Sequence, residues 1–177
     1  MRKISLFIAM SLDGYIADES GGVDWLTGHG DEKMPDVYSE FAKDIDTVLM
    51  GWNTYHQIVT ELSPGKWVYD DFQTYVFTHT KQTSAEKIQF VTQSPADLLR
   101  KLRAESGKGI WICGGANLIR QILSEDFIDQ YYISVIPVLL GDGIRLFEKL
   151  DKRIELRLVK TQHYNGITDL IYVRRSS

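Results

Sequence analysis

A chain of 177 residues, 44% hydrophobic and 25% charged, has the length and composition of one globular domain with a substantial core. The net charge of −4 is spread without a basic patch, which argues against nucleic acid as a partner. Cys113, the one cysteine, rules out an internal disulfide, and the apolar run behind Met1-Arg2-Lys3 stops at Asp13, too short for a membrane span. The expectation is a cytoplasmic protein with no membrane contact.

Ile4 to Met10 is mostly apolar and rich in β-formers, which predicts a strand covered on both faces. Ser11-Leu12-Asp13-Gly14 breaks it, Tyr15-Ile16-Ala17 is a brief apolar return, and Asp18 to Gly22 reads as a turn-rich loop. Thr27 to Lys33, polar and holding two glycines, predicts a flexible surface loop. Pro35 suits the first turn of a helix whose inner face is Val37, Tyr38, Phe41 and Ala42. Thr47 to Met50 predicts a short buried strand closed by Gly51, with a helix over Asn53 to Thr60 behind it. Strands follow at Thr74 to Thr78 and Ile88 to Val91. Ser94-Pro95 opens a helix with Leu98, Leu99 and Leu102 inside, and Gly107 ends it.

Ile110 to Leu123 carries most of the functional reading. Ile110 to Cys113 is a buried-strand run, Gly114-Gly115 follows at once, and Leu118, Ile119, Ile122 and Leu123 have helical spacing. A strand that ends on two glycines and opens a helix lets a ligand approach the backbone, and the helix N-terminus favours a phosphate. A tight turn with no ligand explains the same residues equally well. Ile128 to Val135 predicts another strand, and Ile154 to Thr161 and Ile167 to Arg174 are two more, joined at Asn165-Gly166, a strong hairpin signal. Alternating strands and helices with a closing hairpin predict one α/β domain over residues 1–177. It is a three-layer α/β/α arrangement whose mixed, mainly parallel sheet has about eight strands and ends in an antiparallel hairpin.

In such sheets ligands bind at the carboxyl ends of strands, which nominates the loops Ala9–Gly14, Gly51–Thr54 and Gly114–Leu118. Thr54 could bond a phosphate through its hydroxyl. Neither G-x-G-x-x-G nor G-x-x-x-x-G-K-[ST] occurs, so the usual dinucleotide and P-loop fingerprints are absent. His29, His56, His79 and His163 are scattered, which predicts no metal site, and Cys113 reads as a packed apolar residue. Asp13 and Asp36, the catalytic candidates, stand beside the expected crevice; the first is simplest as a turn residue and the second as a first-turn helix carboxylate, and either could also bind a polar heterocycle or relay a proton.

Four motifs then carry a family resemblance: Ala9-Met-Ser-Leu-Asp-Gly-Tyr-Ile-Ala17, Val48-Leu-Met-Gly-Trp-Asn-Thr-Tyr55, Ile112-Cys-Gly-Gly-Ala-Asn-Leu118 and Pro137-Val-Leu-Leu-Gly-Asp-Gly-Ile-Arg-Leu-Phe147. In this order they resemble the dihydrofolate reductase superfamily, and within it the reductase domain of bacterial riboflavin biosynthesis. The resemblance implies an NADPH-dependent reductase that passes a hydride to a carbon–nitrogen double bond or sugar carbonyl of a pteridine- or pyrimidine-like small molecule. It further implies that Ala9 and Ile16 lie against the nicotinamide, with Cys113 beneath that end as packing. Gly51, Trp52, Asn53, Thr54, Gly114, Gly115, Ala116, Asn117 and Leu118 would hold the pyrophosphate, and Thr78 and His79 the adenosine. Trp52 stands where the family often has a basic residue for the 2′-phosphate. Asp36 is the nearest match to the acid of true dihydrofolate reductases, Asp13 belongs to the riboflavin-type signature, and that branch usually forms homodimers. A non-catalytic nucleotide-binding protein that keeps the fold is the alternative.

Overall fold

The protein is described as a computed structural model over residues 1–30 and 35–175. In chain order the elements are β1 (Ile4–Ser11), β2 (Tyr15–Ala17), α1 (Val37–Ala42), β3 (Ile45–Gly51), α2 (Trp52–Gln57), β4 (Gln73–Phe77), β5 (Ile88–Val91) and α3 (Pro95–Ala104). They continue as β6 (Gly109–Gly114), α4 (Ala116–Ser124), β7 (Gln130–Ile136), β8 (Ile144–Arg145), β9 (Leu156–Tyr164) and β10 (Ile167–Arg174). Eight strands form one sheet in the order β5-β4-β3-β6-β1-β7-β10-β9. The first six of that order run parallel, and the β9–β10 hairpin joins antiparallel to β7. The predicted mixed, mainly parallel eight-stranded sheet is the observed one.

Side chains alternate between two packed faces, as the period of a strand requires. Along β6, Ile110 and Ile112 join the core under α3 and α4, with Leu99, Ile119 and Ile122, all fully buried. Trp111 points the other way, into a cluster with Phe41 of α1, Val48 and Met50 of β3, and Phe72. That second face is strongly aromatic: Phe7 stacks on Phe41 at 4.6 Å, and Trp111 meets Phe41 edge-on at 5.8 Å. Each such side chain contributes roughly 1.5–3 kcal/mol by leaving water.

Several expectations need correction. The helix expected over Asn53 to Thr60 starts a residue earlier, and its last part, Ile58–Leu62, winds as a wider five-residue turn that buries Ile58. The strand expected over Ile154 to Thr161 is shifted to β9, because the two-residue turn at Asn165-Gly166 (φ 50° and 74°) pairs Tyr164 with Ile167 and fixes the register. Tyr15–Ala17 pairs antiparallel with Ile144–Arg145 in a small separate ribbon. The surface loop expected from Thr27 is exposed at Thr27, His29 and Gly30, with one backbone bond to the hairpin: the His29 N–H donates to the Asn165 carbonyl at 2.7 Å. The remainder of that expectation, residues 31–33, lies outside the described residues.

Candidate functional site

The carboxyl ends of β3 and β6 lie side by side, with Met50 opposite Gly114 in register. Gly51 and Gly115 stand at the N-caps of α2 and α4, and neither helix has a side-chain cap. The contrast with the other helices is direct: Asp36 caps α1 by accepting from the Ser39 N–H at 3.0 Å, and Ser94 caps α3 by accepting from the Asp97 N–H. The free N–H groups of the nine-residue α4 therefore face the strand ends with the positive end of the helix dipole.

Gly114 takes φ +138°, which favours glycine, and the peptide between it and Gly115 is cis. A Cβ on Gly115 would stand 3.4 Å from the Thr54 hydroxyl, and one on Gly51 would stand 3.8 Å from the Gly115 nitrogen. So the structure brings Gly51, Thr54, Gly114 and Gly115 into one cradle that any side chain at residue 115 would narrow. Donors, dipole and a free hydroxyl suit a phosphate-bearing group; these residues fit a dinucleotide pyrophosphate. Phe77 pairs with Gly51, so Thr78 lies just past the neighbouring strand end, with His79 exposed beyond it. Ile8, in the middle of β1, would be 3.7 Å from a Cβ on Gly114, and Ala9, the next residue, faces the opposite side of the sheet with Ile136, Tyr164 and Ile167. Ile16 packs partly buried on the α3–α4 core.

Other predicted site residues have local engagements. Leu118 is in the core, leaving only its backbone to the cradle, and the Asn117 side chain accepts from Arg120 at 3.2 Å along its own helix. Ala116 is half-buried at the start of α4, and Asn53 is exposed. Trp52 packs with Tyr55, His56 and Phe90 at centroid distances of 5.7, 5.8 and 6.0 Å. Cys113 joins the aromatic cluster; burial pushes its thiol up to about 12, so it stays protonated against the Tyr69 hydroxyl.

The two predicted acids are both committed to hydrogen bonds. Asp13 accepts from the Ser11 hydroxyl at 2.6 Å, from the Leu140 N–H at 3.1 Å and from the Gly141 N–H at 2.8 Å. The Ser11 bond, with help from those amides, holds its carboxyl down at about 2. Asp13 thereby ties the β1–β2 turn to the loop after β7. Beside it, Arg145 lies over the Tyr15 ring at 4.8 Å and donates to the Tyr15 hydroxyl. Asp36 is an exposed cap whose carboxyl is lowered by its bonds to Ser39.

A third acid went unremarked in the sequence. Asp169, 3% exposed in β10, accepts from the Ser134 hydroxyl at 2.6 Å, the Gln162 amide at 2.8 Å and the Tyr164 hydroxyl at 3.3 Å. Burial, followed by the Asp169 charge, pushes Tyr164 up to about 12, so it remains a donor. The signal was available: Asp169 shares strand parity with the inward Ile167 and is a poor strand former.

The sheet order and the paired glycine turns define a reductase-like α/β domain of the dihydrofolate reductase type. The model of the RibD C-terminal domain matches residues 2–170, and the chain belongs to that family. It is 40% identical to the uncharacterized protein YwjB of Bacillus subtilis, over 98% of each chain. Among solved structures, a protein of Shewanella sp. PV-4 assigned to riboflavin biosynthesis superposes with a TM-score of 0.86 at 28% identity, covering 98% of this chain and 99% of that one. Dihydrofolate reductase from Enterococcus faecalis, solved with NADP(H), superposes with a TM-score of 0.68 at 17% identity, covering 98% and 97%. That likeness establishes the shared fold. No helix among the described residues is long and apolar enough to cross a membrane.

Proposed function

We propose that this protein is an NADPH-dependent reductase acting on a pteridine- or pyrimidine-like heterocycle, of the dihydrofolate or 5-amino-6-(5-phosphoribosylamino)uracil reductase type. The observation that carries the reading is the cradle of Gly51, Thr54, Gly114 and Gly115 in front of the uncapped α4. Bound there, the cofactor would supply a hydride from its nicotinamide ring. The chain's part is to bind, orient and exclude water. The N–H groups of Ala116, Asn117 and Leu118, with the Thr54 hydroxyl, hold the pyrophosphate. Thr78 and His79, with Trp52 and Asn53 nearby, border the adenosine end. Ala9 and Ile16 offer apolar surface to the nicotinamide. Asp13 positions the loops around that end, and Asp36 secures the start of α1.

Titration of the purified protein with NADPH and NADH, followed by nicotinamide fluorescence, tests the cofactor. Turnover is then measured across dihydrofolate, pterins and aminouracils. Absence of binding by either cofactor at millimolar concentration sinks the reading. One observation favours the second reading, a non-catalytic nucleotide-binding protein: Asp13 and Asp36 are both occupied by structural hydrogen bonds. Cofactor binding without oxidation of NADPH on any of these compounds would select it. The proposal includes a cytoplasmic homodimer, supported by the edge strand β9, where Leu158 and Val159 are half exposed. A monomer mass by light scattering would remove that part.

A further inference from the structure

Among the described residues, six arginines reach a carboxylate within 4.0 Å, and Arg145 reaches none. Yet Arg145 is held in place. Its guanidinium lies over the Tyr15 ring at 4.8 Å and donates through Nη2 to the Tyr15 hydroxyl at 3.1 Å. Tyr15 is itself buried and fixed: its N–H donates to the Ser11 hydroxyl at 2.9 Å, and its hydroxyl donates to the Gly141 carbonyl at 3.3 Å. Ser11 and Gly141 are in turn bonded to Asp13. The bonds therefore run from Asp13 through Ser11, Gly141 and Tyr15, and end on an exposed guanidinium whose Nε and Nη1 donors have no partner among the described residues. Asp142, the acid nearest to it in the chain, accepts from the Gly143 N–H at 2.7 Å.

Stacking explains why Arg145 lies on Tyr15, but not why its remaining donors are left open. A guanidinium fixed by its face and one nitrogen still presents an edge of parallel N–H groups, which matches two oxygens of a phosphate or a carboxylate. Holding that edge still beforehand removes much of the ordering cost that makes exposed ion pairs weak. Its position is also defined. Tyr15 and Arg145 are paired across the β2–β8 ribbon and share one face, while their neighbours Ile16 and Leu146 turn the other way into the α3–α4 core. The ribbon continues from the carboxyl end of β1, the strand beside β6. The phosphates of a cofactor belong to the cradle at the ends of β3 and β6, so an anion at Arg145 is carried by a second ligand.

We propose that Arg145, aimed by Tyr15, binds an anionic group, a phosphate ester or a carboxylate, that the substrate carries outside its reducible ring. This rests on the reductase reading. Arg145 touches the ligand; Tyr15 is a positioning residue acting through it. The station reads charge and the spacing of two oxygens, so it distinguishes a substrate with an acidic tail from the same ring without one.

The test uses the full chain saturated with NADP+, so that no turnover occurs, and two matched pairs of probes. One pair is 5-amino-6-ribitylaminouracil with and without a 5′-phosphate; the other is dihydrofolate and its diamide, which lacks the glutamate charges. Binding is followed by calorimetry. In the wild type the anionic member of one pair should bind about fivefold more tightly than its neutral partner, and which pair shows the difference separates phosphate from carboxylate. Arg145→Met should bring the two members to within about twofold of each other, with the neutral member bound as before. Arg145→Lys should keep part of the preference and Tyr15→Phe should lose part of it. Affinity for NADP+ should hold throughout, since Arg145 lies outside the cradle. Equal binding within both pairs by the wild type overturns the proposal, as does a preference that survives Arg145→Met. It is equally overturned if the wild type holds NADP+ but binds neither pair, or if Arg145→Met loses neutral and anionic members in step, because the side chain then only braces the ribbon. Failure of the wild type to bind either form of the cofactor is a separate result and removes the reductase reading itself.

Discussion

Gly115 has an extended backbone, φ −87° and ψ −163°, that alanine can adopt, so its importance lies in the space beside Thr54. Gly115→Ala should fold with a melting temperature close to wild type yet bind NADPH at least about tenfold more weakly, the equivalent of one displaced charge-assisted hydrogen bond. Fluorescence titration beside a melting curve separates the two effects, and unchanged affinity would remove the pyrophosphate from this turn. Asp13 makes a prediction of a different kind. Its carboxyl is held at about 2, below the ordinary 3.8, so its contribution to stability is present above the ordinary value and fades as pH falls toward 2. Asp13→Asn should melt below wild type at neutral pH, and the gap should close between about pH 4 and pH 2. Melting curves across that range check it; a gap independent of pH would mean the charge is not what holds the loops.

At the scale of elements, α1 is the part least able to form alone, since six residues are well short of an independently stable helix. It is held by Phe41, whose ring contacts Phe7, Trp111 and Tyr132 at 4.6, 5.8 and 5.0 Å. Phe41→Ala should cost roughly 3–5 kcal/mol in urea unfolding, as for other buried phenylalanines. A loss below about 1 kcal/mol would show that other contacts dock the helix. The same element shows how far the sequence could be read. Val37, Tyr38, Phe41 and Ala42 announce the helix and its inner face, and the run from Ile110 to Leu123 announces strand, glycines and helix in the right order. Asn165-Gly166 announces the hairpin because two left-handed residues in succession suit few sequences. Less local features stayed hidden. The β2–β8 ribbon joins segments about 130 residues apart through two or three residues each, too few for any periodicity to register. Asp169 shows in sequence only as a poor strand former on the inward parity of Ile167; the register across β10 and β7 is what places it, closed in, beside Ser134.

For the whole molecule, the cradle is built from the ends of β3 and β6, the middle of an eight-stranded sheet, with β4 and β5 to one side and β1, β7, β10 and β9 to the other. Pulling those two strand ends apart would open the sheet between its two halves, so a ligand held by Thr54, Gly51 and the start of α4 opposes unfolding of both. A ligand that binds only the folded state at about a hundred times its dissociation constant adds about 2.7 kcal/mol. For a domain of this length, each kcal/mol raises the melting temperature by about 2–4 °C, so saturating NADPH should raise it by roughly 5–10 °C. Gly115→Ala, at the same NADPH concentration, should lose about half of that rise if its affinity drops tenfold, and all of it if binding is abolished. Differential scanning calorimetry with and without NADPH reads both outcomes in one protein pair. A full rise in the variant would show that the stabilising ligand sits elsewhere; no rise in the wild type at millimolar NADPH would show that the fold has been kept without its cofactor.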